Sequence, residues 1–415
     1  MSQTDLEKTK IMPRDLPNAP MAQADRSDGV PAKKSKKKRR KKRHWFGFLM
    51  LIAAALVTTI CLIVTAGVVG RSNMMDFLNA FARHGDGFPK EISYNALRKA
   101  SLLNDDILLV SDSNLQVLSP SGYQKSKTDL VYHAPSVQPC NGRVLVFDRT
   151  LARVSIYGKT AFLANIDLDQ PPFCAALNAK GEVAVATRGD TFNCEVRIFN
   201  TKQNPTFAWN CANEYAADMA LGGTGKNLFL CLLGTEKAGV YSRLVLLDTE
   251  KKEPVSIDIR LNNEWITRVY AVGDGWYCVG DTSVYLVRKD GTKTAFSYDG
   301  RSLLESAADG SYFAVLLQDL NKQGTVLRVY QKNGEKALEK TFAGTMESLQ
   351  INSGKLYLMG ETFVFRWTKK QTHQSQSLPE GTQKTLVRGN RIYALTSGEI
   401  LQIDANWSNT KQNAS

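Results

Sequence analysis

Repeated short apolar segments predict an all-β protein, an eight-bladed β-propeller, over residues 88–407. Three observations support this prediction. The segments recur every 36 to 49 residues, each follows a turn rich in Gly, Asn or Asp, and each precedes a segment of alternating apolar and polar residues. We interpret each apolar segment as the first strand of a repeat unit. The eight segments begin near Ile107, Arg143, Glu182, Asn227, Trp276, Tyr312, Lys355 and Arg391.

The last repeat unit has too few residues after Ile403 to complete a blade of four strands. We therefore expect a strand around Phe88–Tyr94 to complete this blade and close the ring, which would remove the open sheet edges. Seven blades remain an alternative, because the long units over 182–275 can be divided differently. A β-sandwich is the other all-β alternative, although it does not require eight similar units.

A charge-free segment from Trp45 to Val69 precedes the repeats. Its 25 residues exceed what a bilayer-spanning helix needs, so the sequence predicts a single transmembrane helix over 45–70. A cleaved signal peptide is the alternative, because small residues occur near Thr65. By the positive-inside rule, the basic run before the segment places the N-terminus in the cytoplasm and residues 71–415 outside. The basic run consists of Lys33, Lys34, Lys36, Lys37, Lys38, Arg39, Arg40, Lys41, Lys42 and Arg43.

The sequence thus divides into five parts. We expect a disordered basic cytoplasmic tail over 1–44, the transmembrane helix over 45–70, a juxtamembrane helix and linker over 71–87, the propeller over 88–407 and a flexible C-terminus over 408–415. The juxtamembrane helix is predicted from four apolar residues at helical spacing: Met74, Phe77, Leu78 and Phe81.

The net charge of +13 is concentrated in the tail and does not indicate a nucleic-acid-binding protein. Residues 1–44 hold 14 Lys and Arg against 5 Asp and Glu, which leaves a net charge of only +4 for the rest of the chain. A globular domain with so small an excess has no general attraction for DNA or RNA. Anionic membrane lipid is a secondary partner for the tail.

The sequence contains no recognisable catalytic, cofactor or metal motif. Its four histidines are scattered, and neither a His-x3-His nor a Cys-x2-Cys spacing nor a Gly-x-Ser-x-Gly elbow occurs. Asp167 and Asp169 lack the Gly and the distal Glu of a calcium loop, so we interpret them as solvated loop acids. The Gly-Gly-Thr-Gly-Lys segment at 222–226 lacks the spacing of a phosphate-binding loop and is interpreted as a turn.

Six cysteines follow the predicted span, and two of them are expected to form a disulfide. Residues 200–205 indicate a hairpin turn, and pairing residue 199 with residue 206 places Cys194 opposite Cys211. An extracytoplasmic location would permit their oxidation. The remaining four are interpreted as a weaker second pair, Cys140 with Cys174, and as two buried thiols, Cys231 and Cys278.

Aromatic residues recur near the ends of the predicted strands. Two interpretations remain open: a platform that binds a sugar or a peptide, and packing between blades, which every propeller needs. The tryptophans concerned are Trp209, Trp265, Trp276, Trp367 and Trp407.

The basic tail, the single span, the Gly-Phe-Pro segment at 87–89 and repeats of the form Gly-x-Leu-x-Val…Val-x-Val-Tyr-x-x-x-Gly resemble an uncharacterised family of bacterial, mostly Gram-positive, membrane-anchored propeller proteins. The resemblance covers residues ~33–405. It implies a cell-membrane location and brings no activity and no functional residues. More loosely, the units resemble quinoprotein-type and outer-membrane assembly-scaffold propellers, whose Thr-Gly-Lys turn has a counterpart at 224–226 without the Trp that follows it there.

These features favour a non-enzymatic binding or scaffold module, anchored in the cell membrane, with a protein, peptide or cell-envelope polymer as its partner. We expect no cofactor, no metal and no nucleic acid. The alternative is an extracytoplasmic carbohydrate-active enzyme with carboxylates at the propeller funnel. A DNA or lipid sensor formed by the tail is a third hypothesis.

Overall fold

A computed structural model describes residues 38–65, 85–237, 239–319, 324–369 and 374–409 of the 415-residue chain. Side chains are described for 47–60 in the first of these stretches and up to 407 in the last. The chain forms two compact units, Met1–Val68 and Val69–Ser415. The predicted juxtamembrane helix, most of the tail and the side chains of the basic run lie outside the described residues.

The first unit contains one helix, α1 (Lys38–Thr65), within its described residues. It begins inside the basic run and ends five residues before the predicted end of the span. Within the part of the chain that the structure describes, no helix combines the length and the apolar character that crossing a membrane requires. The predicted transmembrane helix over 45–70 is therefore not confirmed.

The second unit is a ring of eight antiparallel sheets, which confirms the predicted eight-bladed propeller and rules out seven blades. The strands, grouped by blade, are as follows: blade 1, β2 (Leu97–Leu103), β3 (Asp106–Ser111), β4 (Asn114–Leu118) and β5 (Gln124–Asp129); blade 2, β6 (Ser136–Cys140), β7 (Arg143–Phe147), β8 (Arg153–Tyr157) and β9 (Phe162–Asp167); blade 3, β10 (Pro172–Leu177), β11 (Val183–Thr187), β12 (Cys194–Phe199) and β13 (Pro205–Cys211); blade 4, β14 (Tyr215–Leu221), β15 (Asn227–Glu236), β16 (Gly239–Asp248) and β17 (Val255–Asn262).

The second half of the ring repeats this order. Its strands are as follows: blade 5, β18 (Arg268–Val272), β19 (Gly275–Val279), β20 (Ser283–Arg288) and β21 (Lys293–Ser297); blade 6, β22 (Ser302–Ala308), β23 (Tyr312–Asp319), β24 (Gly324–Gln331) and β25 (Lys336–Ala343); blade 7, β26 (Met346–Asn352), β27 (Lys355–Gly360), β28 (Phe363–Trp367), β29 (Gln374–Ser377) and β33 (Ser408–Asn409); blade 8, β30 (Lys384–Arg388), β31 (Arg391–Leu395), β32 (Glu399–Asp404) and β1 (Lys90–Glu91). A short 3-10 helix, Tyr94–Ala96, leads from β1 into blade 1.

The apolar segments that we took as first strands are the second strands of their blades. The inner strand before each of them contacts the inner strands of the neighbouring blades and faces the central channel. Every residue of β3 is buried, because each face of a blade packs against another blade. A strand buried on both faces is a continuous apolar run, whereas an inner strand at the edge of its sheet also carries polar residues. The inner strands therefore lack a clear apolar signal, and the second strand of each blade was taken for the first.

The apolar core lies between the blades. Each of eight buried clusters among the described residues joins two adjacent blades, as Phe229 of blade 4 and Trp276 of blade 5 illustrate, with stacked rings 4.7 Å apart. Burying an apolar side chain of this kind contributes roughly 1.5–3 kcal/mol. A single blade cannot obtain this contribution, because its apolar faces need neighbours on both sides.

The N-terminal strand closes the ring, as the sequence predicted. β1 pairs antiparallel with β32, so the start and the end of the propeller share one sheet. The pairing continues beyond the strand, where the Ile92 N–H donates to the Gly398 carbonyl (2.7 Å) and the Tyr94 N–H to the Ser397 carbonyl (3.2 Å). Blade 8 therefore has four strands, and β1 is its outer strand.

Polar contacts also join neighbouring blades. Asp106 of blade 1 is buried, and its Oδ2 lies 2.9 Å from the Nζ atoms of both Lys125 in the same blade and Lys159 in blade 2. The Asn178 amide of blade 3 donates to the Gly222 carbonyl of blade 4 at 3.1 Å. Because an unpaired buried charge is costly, such contacts fit only one arrangement of the two blades.

The C-terminal segment differs from the prediction. Residues 408–415 were expected to be flexible, but Ser408–Asn409 forms the short strand β33, which pairs with β29 at the outer edge of blade 7. Residues 410–415 lie outside the described residues.

The order of strands gives the ring two distinct faces. The upper face is the end of the ring where each fourth strand connects to the inner strand of the next blade. The second and third strands of each blade are also joined at this end. The opposite end is the lower face. The turn at 222–226 lies on the lower face, between β14 and β15. It is a turn as predicted, with the Gly225 N–H donating to the Gly222 carbonyl at 2.9 Å.

We predict that the stability of the ring depends on β1. A chain that starts at residue 97 leaves the outer edge of β32 without a partner and loses the bonds made by Ile92 and Tyr94, whereas a chain that starts at residue 85 keeps them. At a net ~1 kcal/mol per hydrogen bond, the shorter chain should lose about 3 kcal/mol or more. Thermal unfolding and size-exclusion chromatography of the two chains measure the difference; equal melting temperatures would refute the closing role of β1.

Candidate functional site

The central channel contains a cavity with a volume of about 900 Å³. Inner strands of blades 1, 2, 5, 6, 7 and 8 line it. Its charged lining comes from Lys99, Arg268, Glu305, Asp309 and Lys384. All but Asp309 lie in the inner strands themselves, in the half toward the upper face or near mid-strand.

The inner strands of five blades are interrupted by bulges at equivalent places. A bulge adds one residue to a strand and changes the direction of the side chains beside it. The residues that resume the regular pairing are Lys99, Cys174, Asp218, Glu305 and Ser348. Of these, Lys99, Glu305 and Ser348 line the cavity.

Two carboxylates near the channel are bonded to backbone of the next blade. Asp218 Oδ2 accepts the Val269 N–H at 2.8 Å, and Glu305 Oε2 accepts the Leu349 N–H at 2.6 Å. Burial is the main cause that raises the pKa of both groups, to about 6 for Asp218. Each carboxylate thus satisfies a backbone donor at the open inner edge of the following sheet.

Three cations line the channel: Lys99, Arg268 and Lys384, here called the channel cations. Within the described part of the chain, none of them has a salt bridge within 4.0 Å. Lys99 is exposed to the cavity. Its pKa is lowered, mainly because the protein around it removes water from the ammonium group, and further by the charges of Lys384 and Arg268. The channel therefore holds a local excess of positive charge.

Tyr270 and Ser306 hold Arg268 in place. Arg268 Nη1 donates a hydrogen bond to the Tyr270 hydroxyl (3.3 Å). The Tyr270 hydroxyl in turn donates to the carbonyl of Ser306 in the next blade (2.9 Å). The guanidinium is thus positioned by a neutral partner and keeps its full charge for the channel.

The carboxylates of the lining do not form an obvious glycosidase pair. Such enzymes need two carboxyl groups ~5–9.5 Å apart across a bond. Asp309 accepts the N–H groups of Ser311, Tyr312 and Gly354 in a turn on the lower face. Glu305 precedes it by four residues, roughly 13 Å along a strand at ~3.3 Å per residue.

The structure brings Cys194 and Cys211 together as the sequence predicted. They are directly opposite each other in the β12–β13 pairing, although a bulge pairs Phe199 with Pro205 and not with residue 206. Both are buried and free; the Cys211 thiol donates to Glu214 Oε2 at 2.7 Å. Burial raises the pKa of Cys194 to about 12, so little thiolate exists at neutral pH. The disulfide itself stays a prediction.

Of the other cysteines, Cys174 lies in the same buried cluster as this pair, between blades 3 and 4. Cys231 and Cys278 are buried and free in the core between blades 4 and 5, as expected. Cys140 is the last residue of β6, whereas Cys174 lies near the start of β10.

The tryptophans divide between the two interpretations. Trp276 and Trp367 are buried between blades, and Trp209 and Trp407 are partly buried, Trp407 beneath the Arg366 guanidinium at 4.4 Å. Trp265 is 50% exposed in the upper-face connection between blades 4 and 5. Packing accounts for four of them and leaves Trp265 as a surface residue.

The remaining sequence candidates occupy ordinary positions. Asp167 and Asp169 pair on the surface with Arg153 and Arg197. Among the described residues, no three His, Cys, Asp or Glu side chains are close enough to hold a metal ion. His133 is exposed in a loop, and the other three histidine side chains lie outside the described residues.

Sequence reasoning missed the channel cations. They come from three blades and are 285 residues apart at most in the chain, Lys99 to Lys384, so no local motif links them. The available signal was positional: each lies in the segment directly before one of the apolar strands. Recognising those segments as inner strands would have placed the three residues around one axis.

We predict a disulfide between Cys194 and Cys211 when the chain folds under oxidising conditions. Because burial suppresses the thiolate that must attack, the same pair should stay reduced if oxidant is added after folding. Two samples are compared, one folded in the presence of oxidant and one given oxidant after folding. Both are alkylated in denaturant and examined by peptide mass spectrometry. Cys231 and Cys278 are the controls, because their thiols should be alkylated in both samples. Alkylation of all four residues in both samples would refute the bridge.

We predict that Asp218 makes stability fall as the pH rises from about 4 to about 6. Its folded pKa of about 6 is above the unfolded value of 3.8, so the folded state binds the extra proton in this window. Relative to Asp218→Asn, the wild type should lose up to about 3 kcal/mol of unfolding free energy. Denaturant unfolding at four pH values measures this, with exposed Asp190→Asn as control. A difference between wild type and Asp218→Asn that does not change with pH would contradict it.

Comparisons with known proteins place the chain among propellers. It is similar to the C-terminal WD40 domain of Sif2, with 10% identity, a TM-score of 0.51 and coverage of 76% of this chain and 99% of that one. It is also similar to the dihydro-heme d1 dehydrogenase NirN in complex with DHE, with 11% identity, a TM-score of 0.50 and coverage of 82% of each chain. At these identities the likeness shows the fold alone. No curated protein matches the sequence.

The family profile matches the propeller itself. It covers residues 90–403, from β1 nearly to the end of β32, and does not reach the segments from which the membrane anchor was predicted. Membrane anchoring, a mostly Gram-positive distribution and the quinoprotein resemblance are therefore not shown by it. The match supports the predicted uncharacterised propeller family: the chain belongs to the family of unknown function DUF5711.

Proposed function

We propose that the propeller is a non-enzymatic binding module that holds a protein, peptide or cell-envelope polymer outside the membrane. The observation that carries the proposal is a group of exposed aromatic side chains on the upper face. Tyr215 is 46% exposed at the start of β14, Trp265 is 50% exposed, and Phe192 is exposed between β11 and β12. Tyr and Trp dominate the binding energy of many interfaces.

These side chains are not needed to fill the core. The Tyr215 ring contacts Phe173 edge-on at 5.7 Å, which holds the ring while leaving its other face in solvent. Trp265 is held by its backbone, whose N–H donates to Asp281 Oδ1 at 3.0 Å, while its side chain is free to contact a partner. An ordered apolar side chain loses little conformational freedom on binding, which favours recognition.

The membrane location is supported by the N-terminal sequence. The charge-free run from Trp45 to Val69 extends past α1 into residues outside the described part of the chain, and ten basic residues precede it. Within α1, Leu51 is exposed, and the hydroxyls of Thr58 and Thr59 donate to carbonyls of the preceding turn. Such bonding satisfies the polar groups that a lipid environment leaves without water.

A crosslinking experiment tests location and binding together. Intact cells that produce the full chain are treated with a membrane-impermeant crosslinker, and the crosslinked partner is quantified. We expect Tyr215→Ser with Trp265→Ser to reduce the partner at least about tenfold, as a loss of ~1.4 kcal/mol would do. The matched control is Phe162→Ser, which removes a 48% exposed aromatic ring near the lower face.

The outcomes separate the two parts of the proposal. Crosslinking that appears only after lysis means that the propeller binds its partner inside the cell and that the proposed orientation is wrong. An equal loss in the Phe162→Ser control, or no loss in the double variant, means that the upper face is not the binding surface.

A further inference from the structure

The channel cations differ from several other cations of the propeller, which the structure pairs with carboxylates. Lys125 and Lys159 share Asp106, and Arg328 lies 2.5 Å from Asp299 and 3.5 Å from Glu339. Lys99, Arg268 and Lys384 have no such partner within the described residues, although they border the same cavity.

The reason lies in the inner edges of the sheets. The carboxylates near the channel are committed to backbone donors of the following blade, through Asp218 to Val269 and through Glu305 to Leu349. Gln350 does the same with a neutral amide, which bonds both the N–H and the carbonyl of Val387. Among the described residues that line the cavity, two carboxylates, Glu305 and Asp309, accompany the three cations.

We propose that the central channel binds an oxyanion with two or more negative charges, held by Lys99, Arg268 and Lys384. The three cations outnumber Glu305 and Asp309 in the lining of the cavity, and a net positive lining concentrates anions. Arg268 presents a planar donor fork suited to a phosphate or carboxylate group, and Tyr270 fixes its position. The cavity of about 900 Å³ has the size of a small-molecule site.

Phosphate and carboxylate groups satisfy this chemistry equally. The inference adds a ligand class to the proposed binding module, but it does not depend on the aromatic upper-face surface. The ligand would be bound within the ring, whereas the proposed partner contacts the rim.

Isothermal titration calorimetry of the full chain in detergent, at low ionic strength, tests the site with three probes. These are pyrophosphate, citrate and the uncharged sugar maltotriose. We expect pyrophosphate, citrate or both to bind at one site per chain. Maltotriose, which has no charge, should not bind. The preferred anion identifies the source as a phosphate or a carboxylate compound.

Charge variants define the site, and two of them have opposite expected effects. Lys99→Gln with Lys384→Gln should weaken anion binding at least about tenfold, because it removes two of the three cations. Glu305→Gln should strengthen binding severalfold, because it removes the opposing charge while its amide oxygen still accepts the Leu349 N–H. A gain in affinity cannot arise from misfolding. The matched control is Lys293→Gln, an exposed lysine on the outer strand β21.

Three results would overturn the inference. They are the absence of anion binding at millimolar concentrations, equal weakening by Lys293→Gln, and unchanged affinity in both the double variant and Glu305→Gln. The partner experiment is independent. If the Tyr215 and Trp265 variant loses crosslinking and no anion binds, the binding module is supported and the channel site is refuted. If an anion binds and the variant keeps its crosslinking, the channel site is supported and the upper-face surface is refuted.

Discussion

Closure of the ring is the constraint on which the rest of the structure depends. The second strand of each blade is buried on both faces, as in β3, so each blade needs a neighbour on either side. A linear stack would leave two terminal blades with an exposed apolar face, and a closed ring leaves none. Closure is achieved by β1, which comes from the N-terminal end and completes the sheet that contains the last strands of the propeller. Two short segments thus determine whether eight interblade cores can form together.

Closure also determines the chemistry of the channel. Eight inner strands meet around the axis, and each presents the unpaired edge of its sheet to the channel. Some of the backbone groups at these edges are bonded by side chains of the preceding blade, such as Asp218, Glu305 and Gln350. Because these carboxylates are held at backbone donors, no salt bridge within 4.0 Å joins them to Lys99, Arg268 or Lys384 in the described part of the chain. The excess positive charge is therefore a consequence of how the sheet edges are satisfied.

The aromatic surface and the channel cations lie toward the same face for a topological reason. Each inner strand starts at the upper face, so residues at or before its start, such as Tyr215 and Trp265, lie on that face. Residues within the first half of the strand, such as Lys99 and Arg268, lie just inside it. A partner on the rim and an anion in the channel would consequently be neighbours, with apolar contacts outside and ionic contacts within.

The sequence by itself predicted the closing strand and the opposition of Cys194 and Cys211, and it favoured eight blades over seven, a choice that the structure decided. These features depend on local signals: doubly buried strands are continuous apolar runs, turns need Gly, Asn or Asp, and a hairpin turn fixes its register. It misassigned the apolar runs as first strands, because the inner strands combine bulges with polar residues and lack a clear period. The predicted anchor over 45–70 and the disulfide remain predictions. The tertiary structure alone decided that Lys99, Arg268 and Lys384 line one cavity, since residues so far apart in the chain approach one another only when the ring closes.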